Sequence, residues 1–292
     1  MPRIEESPVI GLCWGTAIGT PLEPLIAAAG GAGLGAVTLT AGMYEASRAR
    51  GTSVAELRRR LRDKGVRVHA IDPLIGVLPG TPKPADVPPE NRAYFEFTEA
   101  RCYEAAEALG AETINLAHFG GRPVAEQEFI ECLGPLAERA ARHGVRLTLE
   151  FLPESAIPDL AAARRIVEAV GSKNLTLLLD TWHFVRSGGT VAQLEGVPKG
   201  LIGGLQISDR REPPPGTAYT PMGGRLLPGE GETALVSLLE TLLARERGLT
   251  VAVEVFSDEL KALPAHEIAA RVASATREVL AAVRRAPDPA SP

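Results

Sequence analysis

Four oxygen-bearing side chains close four successive apolar runs: Glu150 in VRLTLEF, Asp180 in LTLLLDTWHF, Gln206 in LIGGLQISD and Glu254 in LTVAVEVF. Each follows four to six residues of its expected strand, so all four reach a similar height. In a parallel barrel such strand ends converge on one mouth. Three carboxylates cannot crowd a partly dry site without a cation to balance them. Glu254, set between the valines of VAVEV, makes the point most sharply, because an unpaired buried carboxylate costs several kcal/mol. Oxygen-only ligation favours one divalent ion over a thiolate zinc site: Mn²⁺ first, with Mg²⁺ or Co²⁺ as alternatives. The pattern points to an enzyme whose metal is held by Glu150, Asp180, Gln206 and Glu254. A solvated strand end is the bland alternative for any one of them, and four on consecutive strands weigh against it.

Other side chains fall on the same face. His183 stands three residues beyond Asp180 in DTWHF, where it can neighbour the metal, orient a ligand or donate a proton to a substrate oxygen. His69 in VRVHAID and His118 in NLAHFGG are placed late on strands three and four and are read as substrate contacts. Trp14 ends strand one and either walls the pocket or packs. Arg225 lies in GGRLLPGEGE, a glycine-rich loop able to close on substrate, and its guanidinium suits a carboxylate or phosphate handle. Arg186, Arg210 and Arg211 also flank the site. His143 and His266 fall at helix ends and read as structural.

The elements that must position these groups alternate strand and helix eight times. The strands are expected at 9–14, 35–40, 66–74, 112–119, 145–152, 175–184, 201–209 and 249–256. They are short, β-branched and almost continuously apolar, as parallel strands buried on both faces must be. Helices are expected from 91 to 109 and in SVAELRRRLRDKG, among others. Gly65, Gly110, Gly144, Gly171 and Gly248 each precede a strand, where glycine supplies the left-handed turn that stops a helix. Two long loops, GVLPGTPKPADVPPE and RREPPPGTAYTPMGGRLLPGEGE, follow strands three and seven. Eight such units with no second composition block predict an α/β chain folded as a single (β/α)8 TIM barrel. An open doubly wound sheet is disfavoured, since no GxGxxG follows strand one. The expected organisation is a tail at 1–8, a catalytic barrel at 9–285 and a disordered tail at 286–292.

Composition sets the outer bounds. The chain has 292 residues, 45% hydrophobic content and a net charge of -5. No basic run suggests a nucleic-acid groove, and no segment approaches the length of an apolar membrane span. Residues 1–8 lack a signal-peptide core. Three cysteines, Cys13, Cys102 and Cys132, form no CxxC pair and no disulfide framework. The last two read as core, and Cys13 as core or pocket. These readings predict a cytoplasmic protein with no nucleic-acid or membrane partner.

Glu150, the DTWH at 180–183, the LQISD that contains Asp209, and Glu254 together resemble the xylose isomerase-like TIM-barrel superfamily, in its sugar phosphate isomerase/epimerase branch. The resemblance runs from the first strand to the last helix. It implies that Glu150 and Glu254 are metal ligands and the acid/base pair, Asp180 a ligand and His183 a substrate contact. It also implies a homodimer. Gln206 departs from the pattern, since sugar epimerases usually carry histidine there. Glutamine at this position resembles the 3-dehydroshikimate dehydratases of the same superfamily.

A divalent ion on a carbonyl and its neighbouring hydroxyl acidifies the intervening C–H and stabilises an enediolate. Return of the proton then gives epimerisation or isomerisation, and loss of a β-hydroxyl gives dehydration. The expected function is a metal-dependent isomerase or epimerase of a small polyhydroxylated carbonyl substrate. A dehydratase-type lyase is the runner-up, followed by a non-catalytic binding barrel. An apurinic-site endonuclease shares the barrel but needs more histidines and a basic groove.

Overall fold

The computed structural model describes residues 7–212, 214, 216–220 and 222–285. Its centre is a closed barrel of eight parallel strands in chain order. They are β1 (Ile10–Leu12), β2 (Ala36–Leu39), β3 (Arg67–Leu74), β4 (Thr113–Ala117), β5 (Arg146–Glu150), β6 (Leu175–Asp180), β7 (Ile202–Ile207) and β8 (Val251–Val253). Closure comes from β8 lying beside β1, with Ile10 opposite Val251. The single (β/α)8 barrel read from the sequence is the observed architecture.

Strand alternation sorts the side chains. In β5, Leu147 and Leu149 join the apolar core, while Thr148 and Glu150 face inward to Asn115 of β4. Register sets ends side by side: Ala117 pairs with Glu150, and Asp180 with Gln206. The five glycines expected before strands all adopt positive φ, from 62° to 78°. Glycine alone among the residues tolerates that backbone without strain.

Beyond strand ends trimmed by one to three residues, which leave Glu254 just past β8, three elements depart from the expected boundaries. Strand six stops at Asp180 rather than running to 184, and helix Thr181–Arg186 starts at once. The cause is local: Asp180 Oδ1 accepts the Trp182 amide at 2.7 Å and caps the new helix. The helix expected over 91–109 splits into Arg92–Phe95 and Glu99–Leu109, because Thr98 caps the second piece. An additional helix, Ala41–Ala49, follows β2 before Val54–Lys64. Of the two expected tails, only residues 7 and 8 fall among the described residues.

Candidate active site

Asp72, Glu150, Asp180 and Glu254 are all buried around the mouth of the barrel. Four carboxylates in so small a volume repel one another, and water is too scarce to screen them. Their answer is Arg225, itself buried to 4% exposure. Its Nη1 donates to Asp180 Oδ2 at 2.6 Å, to the Glu254 carbonyl at 3.2 Å and to Glu254 Oε2 at 3.4 Å. Its guanidinium also stands over Phe256 and Trp182, 5.4 and 5.8 Å from their ring centres. Burial opposes the Arg225 charge, but Asp180 and Glu254 outweigh it and hold the group more firmly protonated than a free arginine.

One guanidinium does not balance four acids. Burial, aggravated by Glu150, pushes Asp72 up to about 7. Burial also raises Glu254 well above the usual carboxylate range, with Arg225 pulling back and Asp72 adding to the rise. Cys13, whose Sγ lies 3.9 Å from Gln206 Nε2, is held as a neutral thiol by burial and by Glu254.

His183 is fixed from both sides. Arg225 Nη2 lies 3.2 Å from His183 Nε2, and Tyr219 Oη lies 2.6 Å from Nδ1. An arginine only donates, so Nε2 accepts and the ring proton sits on Nδ1, donating to Tyr219. Glu150 Oε1 is 3.3 Å and Asp180 Oδ2 3.6 Å from Nε2.

A chain of amides completes the centre. Asn115 Nδ2 donates to Asp72 Oδ1 at 2.9 Å and to Glu150 Oε2 at 2.8 Å. Gln206 Nε2 donates to Asp72 Oδ2 at 2.9 Å and to Glu254 Oε1 at 3.4 Å. Gln206 Oε1 is buried and meets no hydrogen-bond donor. A buried carbonyl oxygen in that state costs free energy unless something electropositive faces it.

One cavity opens onto this centre. Asp72, Glu150, His183, Arg225 and Glu254 line its polar part, and Trp14, Tyr94, Phe95, Phe119, Met222 and Phe256 line much of the rest. Trp14 packs against Tyr94 and Phe256, with ring centres 5.2 and 5.9 Å apart. Asp180 and Gln206 are buried and do not line the cavity.

The structure thus brings together Glu150, Asp180, Gln206, Glu254, His183, Arg225 and Trp14. It sets two expected substrate contacts apart. His69 is the third residue of β3, and its Nδ1 meets Glu112 Oε2 at 3.1 Å, at the opposite end of the barrel. His118 is fully buried, accepts the Ala156 amide on Nδ1 and packs edge-on against Phe129. Burial lowers its pKa. A side chain at Gly121 would collide with this ring, so His118 fastens the loops after β4 and β5 rather than facing the cavity. Arg225, read as a carboxylate or phosphate handle, is buried and donates to Asp180 and Glu254.

The donor set fits a divalent cation. Glu150, Asp180 and His183 each offer a ligand atom, and these atoms lie within 4.8 Å of one another. Glu150 and Asp180 belong to the set expected from sequence, and His183 joins them. The orphaned Gln206 Oε1 and the excess of acid point the same way.

A family model for the xylose isomerase-like TIM barrel matches residues 26–280. An inosose isomerase of Halalkalibacterium halodurans is 32% identical over 153 residues, covering 52% of this chain and 54% of that protein. The chain spans about half the length of that relative. A putative hydroxypyruvate isomerase of Streptomyces coelicolor is 29% identical over 238 residues, covering 76% of this chain and 81% of the relative. Among solved structures, the IolI protein with a zinc atom matches with a TM-score of 0.79 at 21% identity, covering 94% of this chain and 98% of that one. At that identity the likeness is one of fold.

Proposed function

The chain belongs to the xylose isomerase-like TIM-barrel family, and from that premise we propose that it is a divalent-metal-dependent isomerase or epimerase. Its substrate class is a sugar-like polyhydroxylated carbonyl compound. The reading rests on one observation: four carboxylates are buried together, Arg225 pairs with Asp180 and Glu254 among them, and Gln206 Oε1 goes unpartnered. Glu150, Asp180, Gln206 and Glu254 would hold the ion, with His183 beside them. Such an ion polarises a substrate carbonyl and balances enediolate charge when bound; Mn²⁺ is the first choice and Mg²⁺ or Co²⁺ the alternatives.

The protein's own groups move the proton. Asn115 occupies Glu150 Oε2, which leaves Oε1 as the atom to take a proton from the carbon beside the carbonyl. Glu254, raised in pKa by burial, is suited to carry a proton back. His183, held by Arg225 and Tyr219, lines the cavity as a substrate contact. Trp14, Tyr94 and Phe256 exclude water and offer faces to the C–H side of a polyol. Because the Arg225 donors are engaged, a neutral polyol suits the cavity better than a phosphorylated one.

Names of the relatives support isomerase chemistry. Gln206 favours the second reading, a lyase of the 3-dehydroshikimate dehydratase type, since a neutral amide replaces the usual histidine. One catalytic domain over 9–285, a homodimer and a cytoplasmic setting complete the proposal. No helix among the described residues is long and apolar enough to cross a membrane. The test is turnover of inosose and ketohexoses in D₂O by chelated and Mn²⁺-reloaded protein. Metal-dependent deuterium incorporation beside the carbonyl supports the isomerase; an unsaturated or aromatic product from dehydroshikimate supports the lyase. Full activity in rigorously metal-free protein sinks both.

A further inference from the structure

Asp72 lies on β3, outside the four strands that carry the expected ligands, yet it joins the centre and lines its cavity. Each of its carboxylate oxygens accepts one amide N–H, Oδ1 from Asn115 and Oδ2 from Gln206, both at 2.9 Å. The two ends of a side-chain amide are nearly the same size, so packing alone does not choose between them. A carboxylate does choose, because it accepts and the amide nitrogen donates. For Gln206 the choice sends Nε2 to Asp72 and leaves Oε1 as the buried, unpartnered end. For Asn115 it sends Nδ2 to Asp72 and Glu150, while Oδ1 accepts from Thr148 Oγ1 at 3.1 Å.

We propose that Asp72 is a positioning residue that sets the orientation of both amides. Through Gln206 it presents a neutral carbonyl oxygen to the cation, and through Asn115 it determines which oxygen of Glu150 stays open. One acid on β3 thereby orders donors on β5 and β7. The cation clause of this inference rests on the proposed metal-dependent function; the orientation clause does not.

The experiment separates the two. In metal-free protein at pH 8.5, ¹⁵N spectra read the Gln206 side-chain amide, assigned by its loss in Gln206→Met. Asp72→Asn is expected to shift that amide and speed its hydrogen exchange at least about tenfold, with the circular dichroism unchanged. Identical Gln206 signals in wild type and Asp72→Asn would overturn the proposal whatever the metal does. Calorimetric titration with Co²⁺ then tests the consequence. Loss of an outer hydrogen-bond partner costs a metal site about 10- to 100-fold in affinity, and Asp72→Asn is expected to fall in that range. The double variant Asp72→Asn with Gln206→Glu exchanges donor and acceptor and should regain about tenfold or more over Asp72→Asn. Gln206→Glu alone sets two carboxylates face to face and should bind more weakly than the double variant. A double variant no better than either single change would overturn the orienting role. Wild type that takes up no Co²⁺ would overturn the metal reading, leaving the amide signals to decide the orientation.

Discussion

The barrel carries an ionisable cluster at each end, and β3 contributes to both. At one end Arg67 and His69 meet Glu112, and Arg67 also donates to Thr250 Oγ1 at 2.5 Å. Three residues along the same strand, about 10 Å away, Asp72 enters the mouth. The residue types are alike and the charge balance is not. Glu112 is 33% exposed; although burial opposes it, bonds from His69 and Arg67 pull it down to about 2. At the mouth, burial and mutual repulsion push Asp72 to about 7 and raise Glu254 despite Arg225. An ionic cluster that satisfies itself is architecture; one left with surplus acid marks a candidate functional site.

The comparison can be broken most forcefully at the acids themselves. Glu150→Gln and Glu254→Gln should each lower turnover by about 10³-fold while the barrel stays folded, within the range of general acid–base catalysis. Steady-state kinetics beside thermal melts would check it. Near-normal rates in both variants would relocate the chemistry.

Next in size is Arg225→Met. It removes the partner of Asp180 and Glu254, and breaking a buried pair costs about 3–5 kcal/mol. Denaturant unfolding of metal-free protein should register that loss at neutral pH, with Mn²⁺ restoring part of it. The equivalent cut at the other end, Arg67→Met, should cost about 1 kcal/mol or less, since its partner is part exposed.

The two ends should also respond to pH in opposite directions. Asp72 binds its proton more tightly folded than unfolded, so its contribution is present below about 4 and is lost as pH rises toward 7. Glu112 releases its proton more readily folded, so its contribution is present above about 4.5 and is lost as pH falls toward 2. Metal-free Asp72→Asn should flatten the first slope and leave the second. Stability measured from pH 2 to 8 would decide, and an unchanged slope between 4 and 7 would contradict the assignment.

The smallest effect belongs to His69→Asn. With the ring paired to Glu112 and absent from the cavity, turnover should change less than about twofold and stability by about 1 kcal/mol. A large rise in KM would return His69 to the substrate.

The apolar runs and their acidic ends were readable along the chain because each strand advertises its own burial. Height around the barrel was not, because it depends on how neighbouring strands are staggered. Asn115 is only the third residue of β4, yet the pairing of Ala70 with Thr113 and of Leu74 with Leu116 brings it level with Asp72. His69 is likewise third on its strand, and counting from Arg67 rather than from the apolar centre would have placed it low. Asp72 itself was visible as an acid late in an apolar strand, the same signal that exposed the other carboxylates. Tyr219 left no trace, since its meeting with His183 is made by the path of a long loop. Strand six was drawn past Asp180 because one side chain both ends β6 and starts a helix.

That same loop, between β7 and helix Leu235–Arg245, brings Met222 and Arg225 to the cavity and Tyr219 to His183. Trp182 Nε1 holds it by donating to the Thr220 carbonyl at 3.1 Å. The loop therefore carries a counter-ion: moving it aside would withdraw a positive charge from the acids it covers. By linkage, a cation held at Asp180 and Glu254 would weaken the Arg225 contacts, and those contacts would weaken the cation. A tethered ion and a free one would then compete for the same oxygens.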